Sequence, residues 1–266
     1  VYADCKAAAT YGVSIEGEVK PDWAKMVERE RMVATTMNKG VQFLLKKNNI
    51  DVIAGFGRLK AQDIVEVEGV EYEADYIILA TGARPREMAF MPIDGKHVIS
   101  SKEALVLPEL PESMIVVGSG AIGSEFAYIY ATMGVKVTIV EYMPQIMPLE
   151  DEDTAKAMER AFRKLRATVM TSTTVKQVSV REDGKCVVEV EGKKGAQTLE
   201  ADIVLSAVGI KSNLENMGLE ELGVEIERDK VKVDEHYKTT LDGVYAIGDI
   251  IATPALAHVA SAEAIH

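Results

Sequence analysis

Hydrophobic and polar positions change period several times along the chain, and each change predicts an element. From Asp22 to Asn48 apolar residues recur every three or four positions among charged neighbours, which predicts a long amphipathic helix. Asn49 to Tyr76 then has short apolar runs between glycines and acids, including Asp51–Ala54 and Ile64–Val67, which predict a small antiparallel set of strands. Asp75–Ala80 is apolar enough to predict a buried strand that ends at a Thr-Gly turn.

The middle of the chain reads as strand, helix and strand within one short unit. Ser113–Val117 predicts a strand, Gly118–Gly123 a turn, Ser124–Met133 a helix and Val135–Val140 a second strand. Further on we expect a helix over Asp151–Leu165, strands within Thr168–Glu200 around an Asp-Gly turn, a buried strand over Ala201–Ala207, and a helix from Ala255 to the last residue. Pro85–Pro111 is rich in proline and lacks periodicity, so we interpret it as a connection between domains, with a boundary near Pro108.

Composition narrows the class of protein. A chain of 266 residues with 47% hydrophobic and 27% charged residues has room for about two folded domains. The formal net charge of −12 disfavours nucleic acid and anionic membrane surfaces as partners, and no apolar run approaches a membrane span. The two cysteines form no disulfide framework and no metal motif, which favours a reducing, cytoplasmic location.

A glycine-rich turn carries the strongest chemical signal. Gly118-Ser-Gly120-Ala-Ile-Gly123 fits G-x-G-x-x-G directly after a strand and at the start of a helix, the context in which this pattern indicates a dinucleotide site. The free N–H groups of the helix start, at Ala121 and Ile122, would face the phosphates. Glu141 ends the next strand, about 20 residues on, where an acid accepts from the adenosine ribose hydroxyls and repels the 2′-phosphate of NADP. We therefore expect NAD; Glu125, early in the helix, is either a cofactor-facing acid or a charge that stabilises the helix start.

The order of elements, together with Ala80-Thr81-Gly82, the glycine turn and Gly248-Asp249, resembles the FAD- and NAD-dependent pyridine nucleotide disulfide oxidoreductases, and within that family the dihydrolipoamide dehydrogenases. The resemblance extends over essentially the whole chain. It implies two Rossmann-like α/β nucleotide-binding domains with largely parallel sheets, the NAD domain (108–214) being inserted into an incomplete FAD domain (1–107 and 215–266). By resemblance the FAD contacts are Thr81, Gly82, Gly248 and Asp249, with Leu256, Ala257 and His258 near the flavin ring; Gly209 approaches the nicotinamide, and Glu125 sits between nicotinamide and flavin.

The resemblance also implies parts that this chain does not contain. The family has an N-terminal glycine turn for FAD, a redox cysteine pair and a C-terminal dimerisation domain with a His-Glu pair, and no residue here matches them, so no catalytic residue is assigned. Cys5 has no second cysteine nearby, and Ile210 and Lys211 replace an arginine common in relatives. We expect a fragment of an FAD- and NAD-dependent enzyme that acts on dihydrolipoyl groups. It would lack activity by itself, self-associate, and derive from a homodimer serving lipoyl-carrying 2-oxoacid complexes.

Two alternatives remain open at the level of sequence. One is a non-catalytic module that binds NAD(H) or ADP through the intact glycine turn. The other is a different NADH-linked flavin disulfide reductase.

Overall fold

The structure, a computed structural model, describes residues 1–266 and contains six α-helices and seventeen short strands. The helices are α1 (Tyr2–Lys6), α2 (Trp23–Lys47), α3 (Ser101–Ala104), α4 (Ala121–Thr132), α5 (Glu152–Lys164) and α6 (Ala257–Ile265). Strands β1 to β9 are Gly57–Ala61, Ile64–Val67, Val70–Glu73, Ile77–Leu79, Ala83–Pro85, Val98–Ile99, Ser113–Val117, Lys136–Val140 and Thr168–Met170. Strands β10 to β17 are Thr174–Val180, Cys186–Gly192, Gly195–Ala201, Ile203–Ser206, Ile210–Ser212, Ile226–Glu227, Lys230–Val231 and Val244–Ala246.

The chain divides into two compact units. Unit 1 consists of 1–40 and 85–209, and unit 2 consists of 41–84 and 210–266. The division falls within the long helix α2, which has no buried residue along its 25 positions.

Unit 1 is built on a five-stranded, all-parallel sheet in the order β6-β13-β7-β8-β9. Buried aliphatic side chains of β7 alternate between its two faces: Met114 and Val116 pack in a cluster with α4, whereas Ile115 and Val117 pack against the antiparallel sheet β10-β11-β12. Because both faces are covered, the strands are almost continuously apolar. Because the strands are parallel, the carboxyl ends of β7, β8 and β13 lie together at one edge of the sheet.

Unit 2 contains small sheets around its own core. β4 pairs in parallel with β17, and β1, β2 and β3 form an antiparallel meander. Its buried residues include Leu79, Val244 and Ile250. Ile78, which points to the other side of β4, is 57% exposed, so β4 is covered on one face only.

The predicted α/β class with parallel sheets is confirmed, and several expected elements differ in detail. Asp51–Ala54 is not a strand. The helix expected from Ser124 begins three residues earlier, because Gly120 takes the N-cap position. Pro85–Pro111 lies within unit 1 and contains β6, one of the two edge strands of the parallel sheet, and α3, although its sequence lacks periodicity. The helix expected over Asp22–Asn48 is present as α2, but much of its apolar face is exposed, with Met37 at 68%. Trp23, at its start, packs in unit 1 and donates Nε1–H to the carbonyl oxygen of Leu107 at 2.7 Å.

Candidate functional site

The turn between β7 and α4 needs glycine at its first position. Gly118 has φ +95°, and a Cβ there would lie 2.4 Å from the carbonyl oxygen of Ala207. A Cβ at Gly123 would lie 2.0 Å from the carbonyl oxygen of Gly118, so the helix packs directly on the turn. Both positions are therefore restricted to glycine by backbone contacts.

At Gly120, by contrast, no contact within the chain restricts the residue type. It is exposed, has φ −65°, and no atom lies within 4 Å of where its Cβ would be. No side chain caps α4, so the first N–H groups of the helix, at Ala121, Ile122 and Gly123, have no acceptor in the chain. The helix start thus combines free donors, partial positive charge and open space, which suit a phosphate group.

Glu141 lies beside this turn and is held by it. Its Oε2 accepts from the backbone N–H of Ser119 at 2.8 Å and from the Ser119 hydroxyl at 2.7 Å. Its Oε1 accepts from the N–H of Met143 at 2.8 Å. Glu141 is 6% exposed and Ser119 is fully buried. The carboxylate predicted to face a ribose is therefore fixed in position by the second residue of the motif.

Two further residues predicted for unit 1 lie at its surface. Glu125 is exposed on the first half of α4. Gly209 is exposed with φ +103°, and no atom lies within 4 Å of where its Cβ would be. It follows the end of β13 by three residues, and its carbonyl oxygen accepts from the N–H of Arg86 at 3.0 Å.

In unit 2, the Thr-Gly turn is joined to one asparagine by three hydrogen bonds. The Thr81 hydroxyl donates to the carbonyl oxygen of Asn213 at 2.7 Å, and Asn213 Nδ2 donates to the Thr81 carbonyl at 3.0 Å. The N–H of Asn213 donates to the carbonyl of Gly82, which has φ +66°. Arg84 Nη1 donates to Asn213 Oδ1 at 2.8 Å and thereby orients the amide.

The second predicted pair, Gly248 and Asp249, forms a 3₁₀ turn that is held on two sides. The N–H of Gly248 donates to Oε2 of Glu263 on α6 at 2.7 Å. The carbonyl oxygen of Asp249 accepts from Lys230 Nζ at 2.5 Å and from the Ser212 hydroxyl at 3.1 Å. These contacts fix the backbone and leave the half-buried Asp249 carboxylate free to accept hydrogen bonds.

The start of α6 is open to solvent. Leu256 occupies its N-cap without a capping side chain, and Leu256, Ala257 and His258 are all exposed. The structure thus places the predicted FAD residues on two turns and one helix start of unit 2. The predicted NAD residues lie in unit 1, on the β7–α4 turn, on the first half of α4, directly after β8, and three residues after β13.

Sequence reasoning missed the residues that support these turns, notably Ser119, Asn213 and Glu263. Ser119 occupies a variable position of the glycine motif, so the motif itself gives no reason to select it. Asn213 and Glu263 act on residues that are distant in sequence. For Glu263 the available signal was an acid on the apolar face of a short helix, since a buried carboxylate requires a partner.

Neither cysteine has the surroundings of a redox thiol. Cys186 is fully buried, and burial raises the pKa of its thiol to about 11. Both cysteines are free thiols. No three His, Cys, Asp or Glu side chains cluster as metal ligands would, and no helix has the length and apolar character needed to cross a membrane.

Comparisons with known proteins agree with this arrangement. Residues 6–264 match the family model described as pyridine nucleotide-disulphide oxidoreductase. The chain is 42% identical to the dihydrolipoyl dehydrogenase of Chlorobaculum parvum, over 99% of this chain and 57% of that relative. It is likewise 42% identical to the dihydrolipoyl dehydrogenase of Rhizobium etli, over 96% of this chain and 57% of that relative.

Two solved structures superpose well on the chain. LpdA from Mycobacterium tuberculosis has a TM-score of 0.87 at 27% identity, over 98% of this chain and 58% of that protein. The HOCl-induced flavoprotein disulfide reductase RclA from Escherichia coli has a TM-score of 0.81 at 27% identity, over 91% of this chain and 56% of that protein. The chain therefore spans somewhat more than half the length of each of these proteins.

Proposed function

Because the chain belongs to the pyridine nucleotide-disulphide oxidoreductase family, we propose that it is the NAD-binding part and a portion of the FAD-binding part of a dihydrolipoyl dehydrogenase. The resemblance predicted from sequence is confirmed by the family match and by the relatives named above. The chain covers 57% of those relatives, so the reaction belongs to the whole protein. That reaction is the oxidation of a dihydrolipoyl group with FAD and NAD as cofactors.

The observation that carries the NAD(H) assignment is the uncapped start of α4 beside the fixed Glu141 carboxylate. Ala121, Ile122 and Gly123 offer N–H donors to the pyrophosphate, and Gly120 leaves space for its approach. Glu141 would accept from the adenosine ribose. Gly209 would flank the nicotinamide, and Glu125 would lie between nicotinamide and flavin.

The residues of unit 2 suit a polyol or diphosphate. Asp249 has a free carboxylate to accept from hydroxyl groups of the ribityl chain, while Gly248, Thr81 and Gly82 shape the backbone around it. The open start of α6, with Leu256, Ala257 and His258, would lie near the flavin ring. The chemistry that FAD and NAD supply when bound is two-electron transfer between a dithiol–disulfide couple and the nicotinamide.

A titration of the 266-residue chain with NADH, followed by nucleotide fluorescence, tests the NAD(H) assignment. We expect saturable binding of NADH and much weaker binding of NADPH, because the Glu141 carboxylate repels a 2′-phosphate. A folded chain that binds neither nucleotide, or that prefers NADPH, would contradict the proposal.

The chain by itself should not oxidise dihydrolipoamide. Cys186 is buried and Cys5 has no neighbouring thiol with which to form a disulfide. An assay of NADH formation from dihydrolipoamide and NAD, with added FAD, should give no signal above the buffer. Turnover by the pure chain would contradict this expectation.

The division into an NAD-binding domain over 108–214 and an FAD-binding domain over 1–107 and 215–266 is also a proposal. It is supported by the position of β7, β8, β9 and β13, four strands of the parallel sheet, within the first range. The fifth strand, β6, lies before residue 108, because the compact unit that contains the sheet extends back to residue 85. Limited proteolysis with NADH present should protect 108–214 preferentially. Equal protection of the flanking ranges would contradict this division.

We further propose that the chain self-associates, that the whole protein is a cytoplasmic homodimer, and that it serves lipoyl-carrying 2-oxoacid complexes. The two-stranded β4–β17 sheet supports self-association because the outer edge of β4 pairs with no other strand, whereas the outer edge of β17 is bridged by Tyr237–Thr239. Two free cysteines are consistent with a reducing compartment. Size-exclusion chromatography with light scattering should show species larger than 29.0 kDa that grow with concentration, and a monomer at every concentration would contradict self-association.

A second candidate is an NADH-linked flavoprotein disulfide reductase that acts on another substrate. Similarity to RclA favours it. Both candidates require the same NAD(H) and FAD residues, so they differ in the dithiol or disulfide alone. Comparing dihydrolipoamide with other dithiols as substrates of the full-length protein distinguishes them.

A further inference from the structure

We propose that Ser119 is a positioning residue that sets how Glu141 meets the adenosine ribose, so that one carboxylate oxygen, Oε1, is left for the cofactor. The inference deepens the proposed function and rests on the NAD(H) assignment made above. It makes the serine hydroxyl part of the discrimination between NADH and NADPH.

The hydrogen bonds that Glu141 accepts within the chain determine how many acceptor positions its carboxylate still offers to a cofactor. An ionised carboxylate offers about four acceptor positions, two on each oxygen. Ser119 fills both positions of Oε2 with its N–H and its hydroxyl, at 2.8 and 2.7 Å. Met143 fills one position of Oε1 with its N–H. One position on Oε1 remains, so Glu141 can accept from a single ribose hydroxyl.

The Ser119 hydroxyl also links two parts of the site. Ser119 lies within the turn that would bind the pyrophosphate, one residue before Gly120, and its side chain reaches the acid that would bind the ribose. Ser119 is fully buried, so no water competes for this hydrogen bond. The turn and the carboxylate are thereby held at a fixed spacing.

Loss of the hydroxyl should loosen the carboxylate without removing it. In Ser119→Ala the backbone N–H still donates to Oε2, but the second acceptor position of that oxygen becomes vacant and rotation of the carboxylate is less restrained. A carboxylate that can rotate binds the ribose less well and can also turn away from a 2′-phosphate. NADH binding and discrimination against NADPH should therefore fall together.

The test compares NADH and NADPH affinities of the wild-type chain and Ser119→Ala by nucleotide fluorescence. We expect NADH to bind about tenfold more weakly to the variant, as for the loss of a hydrogen bond to a charged group, with NADPH affinity unchanged or higher. The dissociation constant for NADPH divided by that for NADH should therefore decrease by about the same factor. Competition with ADP and 2′,5′-ADP should give the same pattern, since both probes lack the nicotinamide.

Ser124→Ala is the matched control. The Ser124 hydroxyl is buried near the same turn but donates to the carbonyl oxygen of Ser119 at 3.0 Å and not to Glu141. This variant should lower the melting temperature and leave the NADPH-to-NADH ratio within about twofold of the wild type. If Ser119→Ala and Ser124→Ala lowered the NADPH-to-NADH ratio of dissociation constants equally, any loosening of the turn would reduce the discrimination. That result would overturn the proposal.

A double-mutant cycle with Glu141→Gln shows whether Ser119 acts through the acid. In that background Ser119→Ala should change NADH affinity less than twofold, and an unchanged tenfold loss would overturn the proposal. Ser119→Cys, which is somewhat larger but has only a weak S–H donor, provides the same comparison should the alanine variant not fold.

The two proposals fail in different ways. If the wild-type chain and Ser119→Ala bind NADH equally well, the role of Ser119 is refuted but the NAD(H) assignment stands. A folded wild-type chain that binds neither nucleotide refutes the NAD(H) assignment and the role of Ser119 with it.

Discussion

Glu263 accepts the backbone N–H of Gly248 at 2.7 Å through Oε2, while its Oε1 is buried without a partner. The side chain is 4% exposed. A buried acid with one unsatisfied oxygen is costly, and the hydrogen bond from the Gly248 N–H offsets part of that cost. The same bond ties α6 to the turn in which Gly248 has φ +72°. Glu263 therefore supports the turn that presents Asp249.

Substitution of Glu263 should weaken flavin binding through this turn. In Glu263→Ala the Gly248 N–H loses its acceptor, which costs on the order of 1–3 kcal/mol for a buried donor. We expect a lower melting temperature and less FAD retained after gel filtration, measured by the visible absorption band. Ser261→Ala, which removes an exposed hydroxyl from the same helix, should retain wild-type values of both. Wild-type FAD retention by Glu263→Ala would show that the turn does not depend on the acid.

Substitutions of two glycines in the β7–α4 turn should have different effects, one on NADH binding and the other on stability. Gly120→Val adds a side chain where no atom lies within 4 Å, so the chain should fold normally while the new side chain blocks the approach of the pyrophosphate. Gly118→Ala instead places a Cβ 2.4 Å from the Ala207 carbonyl oxygen at φ +95° and should cost at least about 1–3 kcal/mol of stability. NADH fluorescence and urea unfolding of both variants check this contrast. The expectation is wrong should Gly120→Val bind NADH as the wild type does.

The two cysteines should differ sharply in reactivity. Cys186 is fully buried, and burial, with a contribution from Asp94, raises the pKa of its thiol to about 11. At pH 8 almost none of it is thiolate, so a thiol reagent should label Cys5 alone under native conditions and both cysteines in urea. The Cys5→Ser variant should show no rapid labelling. Fast native labelling of that variant would indicate that unit 1 opens near β11.

Asp202 should contribute to the acid sensitivity of unit 1. Burial alone would raise the pKa of this carboxyl, but hydrogen bonds from Lys185 and Ser113 outweigh it and hold the pKa below its ordinary value. A pKa lowered by folding adds stability that is present above the unfolded value of about 3.9 and is lost as pH falls through the folded value. Asp202→Asn should therefore lose on the order of 1–3 kcal/mol at neutral pH, and its difference from the wild type should shrink below about pH 4.

Urea unfolding followed by the emission of Trp23, the single tryptophan, measures this effect because Trp23 packs in unit 1. Asp183→Asn is the control, since its side chain is 58% exposed and pairs with Arg181 at the surface. Its stability should stay near that of the wild type at every pH. A difference between Asp202→Asn and the wild type that does not change with pH would contradict the assignment.

The sequence was sufficient to predict the elements whose periodicity reflects burial. α5, β7 and β8 lie within a residue or two of the expected ranges, because each has a clear apolar period and a well-defined end, such as the Asp151 side chain that caps α5. β6 was missed because it is two residues long, too short to show a period. Asp51–Ala54 was wrongly predicted as a strand, since a short apolar run carries no information about a pairing partner.

The candidate sites were predictable only as far as local motifs extend. Gly118, Gly120 and Gly123 are recognisable because they form one short sequence motif between a predicted strand and a predicted helix. Ser119, Asn213 and Glu263 were not, because their roles depend on tertiary hydrogen bonds; Thr81 and Asn213, for example, are separated by 132 residues. A pattern in one sequence does not report such a contact.

The pairing of β7 with β13 has a consequence for how the protein folds. Ser113 begins β7 and Asp202 immediately precedes β13; the two residues are 89 positions apart, and the antiparallel sheet β10-β11-β12 lies between them in sequence. Long-range parallel pairing is slow because the intervening loop must close before the contacts stabilise it. During synthesis the centre of the unit 1 sheet must therefore wait until β13 has left the ribosome, and until then the apolar edge of β7 is available to chaperones and to aggregation.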